Sequence, residues 1–550
     1  MKPLLGASSN PIYGQNGMVV STSQQASQAG IDILKKGGNA IDAAVAVGFA
    51  LAVTSPSNGN LGGGGFLVAS FSNGKTFTQD HREKAPSNSY IDMFLDDSGS
   101  VIPGMSLYSR AGSGVPGTVD GLIRILQDHG SGKISIREVL SPAIRLAEKG
   151  FLLSYYEARQ FNAYKAFFER NDAAADIFIR KDKRPWKVED RFIQRDLSKT
   201  LKRIAKHGRN GFYTGPVAKM IVEEMKRGNG LISMDDLSNY SSKYREPVTG
   251  SYKGYEVISM GPPSSGGALL INMLNMLELY EKDSLEWNSS DYVHILTEIE
   301  RRAYADRAEH MGDPDYWDVP LEMFKSKEYA EIRTADIDIN KASPSDEVYA
   351  GDPAGYESPE TTHYSVVDQW GNAVSVTTTI NLGYGNGCVV KGAGFFLNNE
   401  MDDFSSKPGV PNVFGLVGNE ANAIEPNKRP LSSMTPTIIL KNNKPFLVIG
   451  SPGGSTIITT VMQTILNVVD HDMDIKEAVC AARFHSQWLP DVIQIEPRGL
   501  AKDVIGNLEL RGHKIVPRGG YIGESNCIMI REDGIYGGGD CRGETSAIGY

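Results

Sequence analysis

The sequence predicts an α+β protein in which helix-rich and strand-rich stretches share one core. Three observations lead there. Up to residue 360 the long apolar runs, such as residues 40–53 and 291–311, have the length and spacing of helices. From residue 361 onward, residues 363–367, 373–380, 437–440 and 446–449 are short, apolar and β-branched, as strands are. Between the two lies residues 344–360, where Pro344, Pro353 and Pro359 alternate with Asp346, Glu347, Asp352, Glu357 and Glu360; this composition predicts a mobile loop. Amphipathic strands need a cover and amphipathic helices supply one, so both parts belong to one core of sheets covered by helices.

Composition narrows the class. A length of 550 residues allows about three or four ordinary domains or one large enzyme core with decorations. The 40% hydrophobic and 22% charged residues are those of a soluble globular protein. With 56 Lys and Arg against 66 Asp and Glu, the net charge is −10 and no long basic run occurs, which disfavours nucleic acid and anionic membrane as partners. Cys388, Cys480, Cys527 and Cys541 form no CxxC pair, so no zinc ribbon, redox motif or dense disulfide framework is expected. The first residues, Met1-Lys2-Pro3-Leu4-Leu5-Gly6, are interrupted too early for a signal peptide, and residues 43–53 reach about half the length that spans a bilayer. The expected location is cytoplasmic if the chain is full length as given, and periplasmic or secreted if a signal has been removed.

In order along the chain, Met18-Val19-Val20-Ser21 reads as a strand, and residues 24–36 carry Ala29, Ile33 and Leu34 on one helix face. Gly37-Gly38 ends that helix and Asn39 caps the next, residues 40–53, whose all-round apolarity predicts burial. The glycine run Gly62 to Gly65 opens onto a strand, Phe66-Leu67-Val68-Ala69, rather than a helix, and lacks Gly-Lys-Ser/Thr, so it is not a nucleotide loop. Asn73-Gly74 turns the chain into residues 75–79. The charged turn Asp80-His81-Arg82-Glu83 follows at the sheet rim, where an arginine can clamp a carboxylate. Helices are expected over residues 118–129, from Ser141-Pro142 onward, and through much of 150–250. Residues 254–260 form a strand, and Gly261-Pro262-Pro263-Ser264-Ser265-Gly266-Gly267 leads into a helix without the Gly-x-Ser-x-Gly spacing of a nucleophile elbow. His294 reads as a packed or capped histidine, since no chelating partners flank it at local spacing. Residues 363–367 and 373–380 form a hairpin about Asp368-Gln369-Trp370-Gly371-Asn372 that returns Thr379 and Asn381 to the neighbourhood of Thr361. Phe395-Phe396-Leu397 continues the β pattern, and Ser451-Pro452-Gly453-Gly454-Ser455 opens a helix through about Val469.

The stretch Glu360-Thr361-Thr362-His363-Tyr364-Ser365-Val366-Val367-Asp368 stands where loop meets strand. By itself it fits a surface loop entering a strand. It also fits a self-cleavage point, because a threonine at a new N-terminus carries a nucleophilic hydroxyl and a base, its own α-amine, in one residue.

Several motifs decide between these in combination. The stretch from Thr361 to Asp368, Gly371-Asn372-Ala373-Val374, Leu397-Asn398-Asn399-Glu400-Met401-Asp402-Asp403-Phe404, Pro430-Leu431-Ser432-Ser433-Met434 and Ser451-Pro452-Gly453-Gly454 together resemble the γ-glutamyltranspeptidase (glutathione hydrolase) family. The resemblance continues through Gly37-Gly38-Asn39-Ala40-Ile41-Asp42-Ala43, the glycine run, Arg82-Glu83 and Gly114-Val115-Pro116-Gly117, and so covers essentially the whole chain in order.

The resemblance implies an N-terminal nucleophile hydrolase, a four-layer αββα sandwich, made as a proenzyme that cuts itself between Glu360 and Thr361. The expected products are a large subunit, 1–360, and a small one, 361–550, joined in one core. It further implies Thr361 as nucleophile, Thr379 as its hydrogen-bonding neighbour, and the Gly453 and Gly454 N–H groups as oxyanion hole. Arg82, Ser432 and Ser433 would hold a substrate α-carboxylate, and Asn381, Glu400 and Asp403 an α-ammonium. The substrates implied are glutathione and other γ-glutamyl compounds, with water, amino acids or dipeptides as acceptors, and neither metal nor cofactor is called for. Residues 407–415 resemble a lid loop in which Phe414 stands where a tyrosine is expected, and Gly539-Asp540-Cys541-Arg542 departs from the family's Asp-Pro-Arg. The rivals are a cephalosporin (glutaryl) acylase on the same fold and an inactive or binding-only proenzyme.

Overall fold

In a computed structural model, residues 10–281, 285–349 and 361–550 of the chain are described. Thr362–Val367 and Ala373–Thr379 pair antiparallel in the register Thr362 to Thr378 and Val367 to Ala373, as the period-two pattern predicts. The turn is fixed by Asp368, whose carboxylate accepts the N–H groups of Trp370 and Asn372 and the Asn372 side-chain amide. The same carboxylate accepts the Ala40 N–H at 2.9 Å, which ties the hairpin to the N-terminus of a buried helix.

This hairpin is the middle of a seven-stranded antiparallel sheet. Met18–Ser21 and then Ser546–Gly549 flank it on one side, and Gly64–Ser70, Thr76–Asp80 and Lys243–Arg245 on the other. A second seven-stranded sheet runs Ile12–Gly14, Gly534–Gly539, Asn526–Arg531, Lys444–Ile449, Thr437–Lys441, Tyr255–Ser259, Val248–Tyr252. Alternation of side chains sets the layers. Val19, Leu67, Tyr364, Val366 and Val374 enter a core with the helices Gln24–Lys35, Ala40–Thr54 and Thr118–His129. Met18, Val20, Phe66, Val68 and Val367 enter another, shared with Ile438, Val448 and Ile528 of the second sheet and the helices Gly266–Leu277, Ser290–His310 and Thr456–Val469. The result is the expected αββα sandwich. Ala40–Thr54 is buried at every position and starts with a capping box between Asn39 and Asp42.

Two local expectations are corrected, and two further features add to the reading. The helix expected to open at Ser141-Pro142 spans Ile136–Lys149; Ser135 and Glu138 form a capping box at its start and Pro142 lies inside it, so the Ser-x-x-Glu signal overrides Ser-Pro. Phe395-Phe396-Leu397 is not a strand: only Phe396 bridges, to Val389, and the rings pack into an aromatic cluster with Phe178, Tyr384 and Phe212 instead. Of the loop expected to be mobile, residues 350–360 lie outside the described residues, while its beginning is anchored. Ser345 is buried, its N–H donating to Asp491, and the Trp488 indole donates to the carbonyls of Ser345 (2.9 Å) and Val348 (2.8 Å). Finally, Cys480 and Cys541 form a disulfide across 61 residues with Cα atoms 5.3 Å apart, and Cys388 and Cys527 are free and buried.

Candidate active site

The hairpin register brings Thr379 beside Thr361, the residue preceding the first strand. Thr379 Oγ1 accepts the Asn381 N–H at 2.8 Å, and Asn381 takes a left-handed φ of 70°, a conformation asparagine tolerates better than most residues. Its Nδ2 donates to Asn399 O at 2.9 Å, but its buried Oδ1 has no donor among the described residues. The glycine run makes this close packing possible, since a Cβ on Gly63 would fall 2.0 Å from Thr379 O.

Arg82, just past the strand Thr76–Asp80, is wholly buried, and each of its three nitrogens has a partner. Nε donates to Pro430 O at 3.2 Å, Nη1 pairs with Glu400 and lies 3.6 Å from Glu83, and Nη2 pairs with Asp403 and reaches Leu431 O. Glu400 and Asp403 come from a 3₁₀ turn whose entry is fixed by Asn398 Oδ1 accepting the Glu400 N–H. Burial pushes the carboxyls of Glu400 and Glu83 above the ordinary range against the pull of Arg82. Burial pulls the Arg82 guanidinium down, but its three carboxylate neighbours more than compensate and raise it. Glu400 Oε2 remains a buried acceptor without a donor among the described residues.

Ser432 and Ser433 enter from the loop ahead of Thr437–Lys441. Ser432 is held by its backbone, which donates to Pro263 O and accepts from both the N–H and the hydroxyl of Ser265 at 2.9 Å. Ser433 Oγ accepts from Arg307 Nη2 at 3.3 Å. On the other side, Gly453 and Gly454 have φ of 143° and 58° and lead into the helix Thr456–Val469, and neither N–H donates to a described residue. Phe414 lies directly on Gly454, where a Cβ would meet its Cδ1 at 2.5 Å. Its loop is docked on the acidic turn: Val413 N–H donates to Asp402 at 3.0 Å and Asn412 Nδ2 to Asp403 at 3.2 Å.

These residues close round a small, partly open cavity. Thr361, Thr379, Asn381, Gly454 and Phe414 line it, as do Arg82, Glu400, Asp403, Ser432 and Ser433. Gly453 stands next in the chain but is not part of the wall, and Glu360 lies outside the described residues. The wall also contains Arg307, which sequence reasoning missed. A signal was available: Arg307 continues the inward stripe of Ile299 and Ala303 at four-residue spacing, where a charge is out of place.

Over residues 26–550 the chain matches the model of the gamma-glutamyltranspeptidase family. The chain belongs to that family. The glutathione hydrolase proenzyme of Escherichia coli (strain K12) is 47% identical over 97% of this chain and 91% of its own length. Among solved structures, Helicobacter pylori gamma-glutamyltranspeptidase is 40% identical with a TM-score of 0.60, covering 64% of this chain and 97% of that one. The cephalosporin acylase of Bacillus halodurans is 26% identical with a TM-score of 0.86, covering 98% and 97%. γ-Glutamyltranspeptidases and acylases therefore share this sandwich, and the cavity wall has to distinguish them.

Outside the cavity, His294 does gather partners that local spacing does not reveal. His513, 219 residues away, shares a 2.7 Å hydrogen bond with its Nδ1, and the ligand atoms of His294, Glu298 and His513 lie within 4.8 Å of one another. Both Glu298 oxygens are already engaged, by Arg302 Nη1 and the Ser343 N–H, and burial lowers the pKa of both imidazoles. His294 is thus a packed, hydrogen-bonded ring. Among the described residues no helix is long and apolar enough to cross a membrane.

Proposed function

We propose that the protein is a self-processing γ-glutamyltransferase and hydrolase acting on glutathione and related γ-glutamyl compounds. One observation carries this reading. Beside Thr361 the cavity wall presents both signs of partner, with buried acceptors lacking donors among the described residues at Asn381 Oδ1 and Glu400 Oε2, beside Asp403, and guanidinium and hydroxyl groups at Arg82, Arg307, Ser432 and Ser433. An amino acid head carries an ammonium and a carboxylate on one carbon and answers both.

In the proenzyme, the Thr361 hydroxyl attacks the carbonyl of Glu360, the acyl group shifts from nitrogen to oxygen, and water opens the ester. This leaves subunits 1–360 and 361–550 in one sandwich. The Helicobacter pylori chain, which is almost fully covered yet spans 64% of this one, supports a break about two-thirds of the way along. The freed amine, with an ordinary pKa of about 7.7 to 8, serves as general base near neutral pH.

In turnover, Thr361 Oγ adds to the γ-carbonyl while the α-amine takes its proton and passes it to the departing amine. The oxyanion is received by the N–H groups of Gly453 and Gly454, each such donor typically worth ~3 kcal/mol in the transition state. Water, an amino acid or a dipeptide then attacks the γ-glutamyl ester and regenerates Thr361. Phe414 over Gly454 covers the cavity without the hydroxyl of a tyrosine.

The likeness to a cephalosporin acylase makes the glutaryl group the competing substrate, since it lacks only the ammonium. Hydrolysis of γ-glutamyl anilide and glutaryl anilide, with and without a dipeptide acceptor, tests the proposal. Preference for the γ-glutamyl compound is expected, and preference for the glutaryl compound would assign the acylase activity.

A further inference from the structure

We infer that Thr456 is a positioning residue for the reaction: its hydroxyl fixes and polarises the Gly453–Gly454 peptide, whose N–H receives the oxyanion. The inference deepens the γ-glutamyl reading above and rests on its oxyanion assignment. The glycines themselves create the need. Gly453 and Gly454 take φ of 143° and 58°, and with no Cβ on either residue the peptide plane between them meets little steric resistance to rotation. An N–H that can swing is a poor oxyanion donor, because this kind of stabilisation depends on dipoles aimed before the charge develops. The plane therefore has to be held from outside the two residues.

Thr456, wholly buried at the start of the helix Thr456–Val469, holds it twice. Gly453 O accepts the Thr456 N–H at 3.1 Å and the Thr456 hydroxyl at 2.8 Å. A threonine hydroxyl can reach the carbonyl three residues back, and here the reach requires glycine, since a Cβ on Gly453 would collide with Thr456 Oγ1. The Gly453–Gly454 bond is trans, so its N–H points opposite to its carbonyl. With the carbonyl tied to the helix, the Gly454 N–H is aimed away from the helix, on the side of the cavity that Gly454 lines.

The hydroxyl also acts through the peptide bond. A carbonyl that accepts an O–H draws electron density from its amide nitrogen, which strengthens the N–H as a donor, as in any chain of hydrogen bonds. The preceding peptide, which carries the Gly453 N–H, is held in a similar way: Ser451 Oγ donates to Pro452 O at 2.7 Å and accepts the Glu524 N–H at 2.9 Å. Both N–H groups assigned to the oxyanion thus belong to peptides whose carbonyls are tied by a neighbouring hydroxyl.

The test is steady-state hydrolysis of γ-glutamyl anilide, per processed enzyme, by wild type, Thr456→Val, which keeps the shape and loses the hydroxyl, and Thr456→Ser, which keeps the hydroxyl and loses the methyl. Thr456→Val should lower kcat about 3- to 10-fold, the rate equivalent of one neutral hydrogen bond, with KM within about twofold. Thr456→Ser should stay within about twofold of wild type in both. In a Gly454→Ala background, where the N–H is already turned away, Thr456→Val should cost nothing further. An unchanged kcat in Thr456→Val, an equal loss in the valine and serine variants, or an undiminished loss in the Gly454→Ala background would overturn the inference. Should Thr456→Val fail to fold, Thr456→Ala against Thr456→Ser makes the same comparison. The oxyanion forms on any acyl group, so glutaryl anilide should show the same factor. Preference of the wild type for that donor would sink the γ-glutamyl reading and leave the result for Thr456 standing.

Discussion

Alanine at position 454 would set a methyl group against the Phe414 ring. The Cβ would lie 2.5 Å from Cδ1 and 2.9 Å from Cε1, so the ring would have to retreat by about 1 Å to reach ordinary contact. Phe414 cannot retreat alone, because its N–H donates to Asn412 Oδ1 at 3.0 Å and its carbonyl accepts from Gln487 Nε2 at 3.2 Å. The backbone is strained as well: a φ of 58° costs a residue with a Cβ about 1–2 kcal/mol. Relief by either route turns the Gly454 N–H away from the carbonyl beside Thr361. Losing one aligned oxyanion donor costs ~3 kcal/mol, so Gly454→Ala should lower kcat for γ-glutamyl anilide about 100-fold or more, with KM little changed. The assay is steady-state hydrolysis per processed enzyme, with the processed fraction read from a denaturing gel. Phe414→Ala alone should cost far less, and combined with Gly454→Ala it should recover part of the loss by removing the clash. A processed Gly454→Ala enzyme within about threefold of wild-type kcat would refute the assignment of this N–H to the oxyanion.

The Cys480–Cys541 disulfide closes a loop of 61 residues, for which loop entropy predicts a stabilisation of about 4 kcal/mol. Cys541→Ser should lower the thermal unfolding temperature while leaving donor KM unchanged; an unaltered melting curve would contradict this. His363 lies wholly buried between the sheets, bonded to Thr377 Oγ1 at 2.9 Å and Ser365 Oγ at 3.1 Å, and burial pulls its pKa from 6.5 to about 3. Between those values the unfolded chain binds a proton that the folded chain refuses, so this contribution is complete above pH 6.5 and declines as the pH falls toward 3. Urea unfolding as a function of pH should show that decline, and His363→Gln should flatten it by up to one proton; an identical slope would refute the linkage.

What could be read from the sequence depended on whether partners are near in the chain. Thr361, Thr379 and Asn381 sit on one hairpin whose alternation and turn residues fix the register, so local pattern alone places them together. Arg82, Glu400, Asp403, Ser432 and Ser433 come from separate loops, and only their resemblance to a family as a set connected them before the cavity did. Their assembly depends on long-range contacts such as Arg82 Nε to Pro430 O, which no periodicity encodes. Arg307 escaped because a charged helix reads as a solvated face until burial is known. Cys480 and Cys541 escaped for a related reason: a single bridge across a long stretch of chain leaves no spacing motif. Ser141-Pro142 misled because two start signals compete there, and the Ser135–Glu138 box satisfies two backbone donors where Ser-Pro satisfies none.

The account turns on Thr361 as a nucleophile released by self-cleavage. Intact-mass and peptide spectrometry of enzyme quenched in acid during turnover of γ-glutamyl anilide reads both parts at once. The prediction is two chains, the shorter beginning at Thr361, with one γ-glutamyl increment on that residue in a fraction of molecules. An uncut chain that still turns over, or an increment carried by any residue other than Thr361, would contradict it.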